Sequence, residues 1–216
     1  MSKSKQQRRV KKSAQALTEK GEMLVSRRRY TAALRYLNQA LELAPLFPRA
    51  YRLRGLVYRE RQQFGRAKRN LIQAVELDPD NVLNHLFLGV FLVDQARFKW
   101  GITHLAQVIE RGDKRGGISV CAHIASAYAY LGLQREAAAR QEFAQLIKIE
   151  PLNSCHYCMY DWLTLRLGCK LHRNADQHLQ VLLAAPRSSA QCNYLPAQLC
   201  RIAAWHLLSM YVFPET

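Results

Sequence analysis

From Ala14 onward, apolar residues return every three or four positions. Leu17, Met23 and Leu24 are followed by Ala32, Ala33, Leu34, Leu37, Ala40 and Leu41, the spacing of one face of an α-helix. The segment Arg27–Tyr30 interrupts the pattern and Pro45 ends it, which predicts two helices joined by a short turn. The plan then starts again. Tyr51, Gly55 and Tyr58 stand on a first helix, Phe64 marks the turn, and Ala67, Leu71 and Ala74 stand on a second helix closed by Pro79. Gly21, Gly55 and Gly89 lie 34 residues apart, and the pairs Ala40/Ala74 and Pro45/Pro79 keep the same interval. Self-similarity at this period marks a helical array whose units are too small to fold alone and stack on one another.

A third unit over 82–115 keeps Leu88, Gly89, Leu92 and Leu105 but has Gly101 and Asp113 where alanine and proline would continue the pattern. Its first helix, VLNHLFLGVFLV, is apolar almost all round, which predicts burial on most sides. Gly112, Gly116 and Gly117 mark a longer connection that shifts the register by four residues. A fourth unit over 120–153 has Ala127 in the glycine place, then Tyr130, Ala139, Phe143 and Pro151. The small residue has a steric reason: the two helices of a unit cross closely there. After Pro151 the match fades. Ser154 to Gly168 and Ala175 to Ala184 read as a worn fifth pair, Arg187 to Tyr194 as a loop, and Pro196 to Phe213 as a last helix covering the end of the core.

The runs YTAALRYLNQALELAP from Tyr30, FGRAKRNLIQAVELDPDN from Phe64 and AYLGLQREAAARQEF from Ala129 resemble the tetratricopeptide repeat. The resemblance covers residues 14–153 strongly and 154–213 weakly. It implies an all-α, right-handed superhelix with four repeats (14–47, 48–81, 82–115 and 120–153). A degenerate fifth repeat over 154–187 and a capping helix over 195–213 follow.

The resemblance also implies a concave face lined by the first helix of each repeat. Carried over by register, it places Arg49, Arg52, Leu56 and Arg59 of the second repeat in a groove. Leu83, Leu86, Phe87 and Val90 follow from the third, Ile124 and Tyr128 from the fourth, and Met159 and Trp162 from the fifth. A groove basic at one end and apolar along the rest suits an amphipathic segment with acidic residues at one end. Members that clamp acidic chaperone tails use a Lys, Asn, Asn, Lys, Arg set. Here the matching places hold Thr18, Glu22, Leu53, Leu83 and Phe87, so that activity is not expected. The apolar stripe also fits against the chain's own last helix or a second copy.

Charge changes the picture of partners. The chain carries a net +16, and residues 1–81 hold 19 Lys and Arg against 7 acids, a net +12. Something acidic is expected to meet the N-terminal half. Residues 1–12, with Lys3, Lys5, Arg8, Arg9, Lys11 and Lys12, read as a disordered basic arm. These cations, with Arg27 to Arg29 and Arg66, Lys68 and Arg69, would also suit phosphates, so nucleic-acid association is the alternative to protein binding. Against it, only Tyr30 and Phe64 neighbour the clusters as aromatics. No signal peptide or transmembrane run is evident, and an intracellular location is expected.

Candidate chemistry is sparse. The six cysteines lie at 121, 155, 158, 169, 192 and 200 and read as reduced, semi-buried residues. Cys155, Cys158, Cys169 and His172 have a spacing zinc ligands use. A straight helix would hold the two halves about 20 Å apart, so no metal is expected. His85 and His123 share the fourth place of their repeats and read as core residues. No Gly-x-Ser-x-Gly, phosphate loop or spaced acidic pair appears. The reading is a non-catalytic scaffold, adaptor or chaperone-like assembly factor without a cofactor.

Overall fold

In the computed structural model the described residues, 3–112 and 117–149, form α-helices joined by short turns, with no strand among them. The chain divides after Gly112 into two compact units. The first holds α1 (Lys3–Ser26), α2 (Tyr30–Leu43), α3 (Pro48–Glu60), α4 (Phe64–Leu77), α5 (Val82–Asp94) and α6 (Phe98–Arg111). The second holds α7 (Gly117–Gly132) and α8 (Glu136–Ile149) among its described residues. The worn fifth repeat, the capping helix, Met159, Trp162 and the cysteine set with His172 lie outside the described residues.

Local chemistry sets the helix ends. α2 stops at Ala44, because Pro45 lacks a donor and restricts the residue before it. α3 starts with Pro48 in its first turn, where a missing N–H costs nothing. The Asn81 side chain accepts from the Leu83 N–H at 3.1 Å and caps α5.

Each helix pair closes on the same contact. A Cβ at Gly21 would stand 2.9 Å from Leu37, one at Gly55 2.8 Å from Leu71, and one at Gly89 2.9 Å from Leu105. The partner is always the leucine sixteen residues later, so glycine is needed for the close crossing. In the second unit the same spacing joins Ala127 to Phe143 within one buried cluster. The turn repeats as well. Arg28, Gln62 and Ala96 take left-handed backbone angles, φ 57, 58 and 55, and Gln134 follows at φ 58. The last interval is four residues longer than the others, which locates the extra chain between α6 and α7.

Within the first unit α1 packs against α3 and α3 against α5, while α2, α4 and α6 make no comparable approach to one another. The first helices therefore form the tighter, inner layer. α5 lies between α3, α4 and α6, so its nearly uniform apolar surface is buried from Asn84 to Val93 except at Phe87.

The N-terminal arm differs from expectation. Residues from Lys3 onward are helical and continuous with α1. Lysine, arginine and glutamine are good helix formers, and no glycine or proline intervenes before Gly21. Once residues 14–26 are packed, the helix extends backward without a new nucleation step. Arg8, Arg9, Lys11 and Lys12 remain exposed on it.

Candidate functional site

The inner layer of the first unit brings the second-repeat arginines onto one stripe of α3, as the register implies, but they are not free cations. Arg49 is ion-paired with Glu22 of α1, and Arg59 with Asp94 of α5. Arg59 also lies 3.6 Å from Glu60. Arg52 is buried at 7% exposure. Its Nη1 donates to the Asn84 Oδ1 at 2.7 Å, and its guanidinium stands 5.8 Å from the Phe87 ring centre. Asn84 in turn donates to the Ala74 and Asp78 carbonyls. The stripe thus stitches α3 to α1 on one side and to α5 on the other.

Arg52 is the unusual member. No ion pair forms on it among the described residues, and its Nε is buried without an acceptor. Burial, with Arg49 nearby, depresses its pKa below the ordinary arginine value. Burial likewise raises the Asp94 carboxyl, against the pull of Arg59.

Beside Arg52 the expected apolar positions divide. Leu86 and Val90 are buried in the core, whereas Leu56, Leu83 and Phe87 keep partly exposed surface. In the second unit Ile124 and Tyr128 are partly exposed on α7, Ile124 packing at the margin of the Val120–Phe143 cluster. Cys121 is buried, as are His85 and His123. The histidines are hydrogen-bonded between their paired helices. His85 meets His104 Nδ1 to Nδ1 at 3.0 Å and the Pro79 carbonyl at 2.9 Å, and His123 meets Glu142 at 2.6 Å. The Pro79 carbonyl makes His85 Nε2 the protonated nitrogen, so His104 Nδ1 donates between the rings. Burial, then His85, lowers the His104 pKa.

A second charged surface lies at the turns between paired helices. Arg27, Arg28, Arg29, Arg61, Arg97 and Lys99 are all exposed there. Arg28, Arg29 and Arg61 line a shallow open concavity of about 410 Å³ with Tyr30, Thr31 and Ala32. The Tyr30 hydroxyl reaches Glu60 at 3.4 Å, so adjacent turns are neighbours. Sequence reasoning named Arg27 to Arg29 but missed Arg61, Arg97 and Trp100 as their companions. The 34-residue register was the signal that aligns them. Sequence reasoning also missed Glu22, Asn84 and Asp94 as partners of the stripe.

Among the described residues no cluster of three or more His, Cys, Asp or Glu side chains is placed to hold a metal, and no helix is long and apolar enough to cross a membrane.

Known proteins place this geometry. The tetratricopeptide repeat family matches residues 14–45 and 48–81. The E3 ubiquitin-protein ligase CHIP of Arabidopsis thaliana is 25% identical over 99 residues, 46% of this chain. The chain spans only about a third of that relative, 36% of its length. Among solved structures, Pseudomonas aeruginosa pilF superposes with a TM-score of 0.72 at 16% identity, covering 96% of this chain and 95% of its own. MamA 41-end from Desulfovibrio magneticus RS-1 gives 0.66 at 17% identity, covering 83% and 97%. YrrB, described as a TPR protein with an unusual peptide-binding site, gives 0.62 at 18% identity, covering 88% and 89%. Identities this low establish the shared all-α helical-repeat fold and nothing more specific.

Proposed function

We propose, from the premise that this chain is a tetratricopeptide-repeat protein, that it holds another protein without catalysing a reaction. Stacked helix pairs of this family generally serve as protein-interaction scaffolds, and the inner layer offers one extended surface. The ligand is an amphipathic or apolar segment carrying acidic residues, bound along α3 and α5 of the first unit. An intracellular adaptor or assembly factor is the setting that fits such a task.

The observation that carries this reading is Arg52 beside Phe87. A buried guanidinium whose direct acceptor is neutral, with the Glu22 and Asp78 carboxylates acting on it only from a distance, is incompletely compensated. A carboxylate brought in by a ligand would offset that cost, while Phe87, Leu83 and Leu56 supply apolar contact next to it. The ion pair Arg49–Glu22 lies close enough to act on the Arg52 charge. Ile124 and Tyr128 of the second unit are separate candidate contacts on α7.

A panel of fluorescent amphipathic peptides, with acidic residues at one end or with those acids replaced by amides, tests this reading by anisotropy. The acidic peptides should bind more tightly, and Phe87→Ala should weaken them by at least about tenfold, the scale of an interface anchor. Equal affinity for acidic and amide peptides, with no loss on Phe87→Ala, would remove this surface as the site.

A further inference from the structure

A different face carries the proposal that follows. At the turns of the first unit, six exposed cations are gathered: Arg27, Arg28 and Arg29 on the first turn, Arg61 on the second, Arg97 and Lys99 at the third. None makes an ion pair among the described residues. The acids at this edge are otherwise engaged. Asp94 is paired with Arg59, and Glu60 accepts the Tyr30 hydroxyl. Arg28, Arg29 and Arg61 converge on one open concavity, so two successive turns present charge to the same visitor. Self-repulsion among unpaired cations disfavours this arrangement unless an anion shares the surface.

Aromatic rings sit among these cations. Each second helix of the first unit begins with one: Tyr30 on α2, Phe64 on α4 and Phe98 on α6. Trp100, in the first turn of α6 beside Lys99, is 68% exposed, and Phe64 is 42% exposed. An indole left so open makes no packing contribution that would explain it. The starts of α2, α4 and α6 add partial positive charge, since none has a side-chain cap or an acid in its first turn.

We propose that this turn edge binds single-stranded nucleic acid, with the arginines on phosphates and with Trp100 and Phe64 as stacking platforms for unpaired bases. Arginine forks suit phosphate oxygens, and exposed rings between cations are the arrangement that grips single strands without reading sequence. An acidic polypeptide would satisfy the arginines but leave the rings without a planar partner. A duplex offers no free base faces to them. Helices of one layer pack about 8–10 Å apart, so three turns offer a track of roughly 20 Å.

The test is a fluorescence-anisotropy titration of the full chain with a fluorescein-labelled oligouridylate at several salt concentrations. Three to six phosphate contacts predict a slope of log affinity against log salt between about −2 and −4. Combined Arg28→Glu, Arg29→Glu and Arg61→Glu should weaken binding at least about tenfold, and Trp100→Ala roughly fivefold or more. Circular dichroism should be unchanged in both, since the altered side chains are exposed. Lys11→Glu with Lys12→Glu, on the N-terminal part of α1, should leave affinity within about twofold. Binding indifferent to the three reversals, loss confined to the Lys11 and Lys12 variant, or displacement of the RNA by polyglutamate at equal charge would each overturn the proposal.

Discussion

The arginines of α3 and the arginines of the turns are the same residue type in opposite circumstances. On α3, Arg49, Arg52 and Arg59 reach across to Glu22, Asn84 and Asp94 of neighbouring repeats. At the turns, Arg27, Arg28, Arg29, Arg61 and Arg97 face solvent and pair with no acid among the described residues. Clusters that look equivalent in the chain therefore do different work. One links neighbouring repeats, although Arg52 within it meets only a neutral acceptor, and the other stays open to solvent. A basic run is informative about partners only after its internal partners have been subtracted.

The comparison breaks most easily at Arg52. Arg52→Glu places a carboxylate in a site 7% exposed, facing the acceptor oxygen of Asn84, and should cost about 3–5 kcal/mol in urea unfolding. Arg59→Met comes next, at about 1.5–3 kcal/mol, the scale of a charge-assisted hydrogen bond, because it leaves the Asp94 carboxylate alone. Its pH dependence sharpens the point. The Asp94 pKa is already raised by burial in the folded state, so its contribution to stability is fullest on the acid side and falls as pH rises through that folded pKa. Removing Arg59 raises the folded pKa further, so stability should fall more steeply toward neutral pH than in the parent. The smallest effect belongs to the turns. Arg28→Ala and Arg29→Ala should each stay within about 0.5 kcal/mol of the parent, and a larger loss there would erase the distinction.

Much of the fold was legible because contacts within a repeat recur at fixed separations. Gly21, Gly55 and Gly89 announced the crossings with Leu37, Leu71 and Leu105, and a four-residue register shift announced the extra chain before α7. The departure at Gly101 also has a physical cause: a Cβ there would come 2.6 Å from a Val93 methyl and 3.1 Å from the Gly89 carbonyl. The turn backbone was legible only through register, since Arg28, Gln62 and Ala96 hold left-handed angles without glycine. The candidate surfaces were less legible. Whether Arg59 is free depends on Asp94, 35 residues away on another helix, and periodicity gives a position's direction but not its neighbour across a repeat boundary. The helical start of α1 was missed for a related reason. A polar segment with no core to join can still be helical when it continues a helix that is packed.

The distinction between the two arginine sets is most directly tested by NMR of the arginine Nε–Hε groups while oligouridylate is added to the full chain. The signals of Arg28, Arg29 and Arg61 should move and saturate together, while those of Arg52 and Arg59 stay in place. Movement of Arg52 and Arg59 with the turn arginines unmoved would contradict the account.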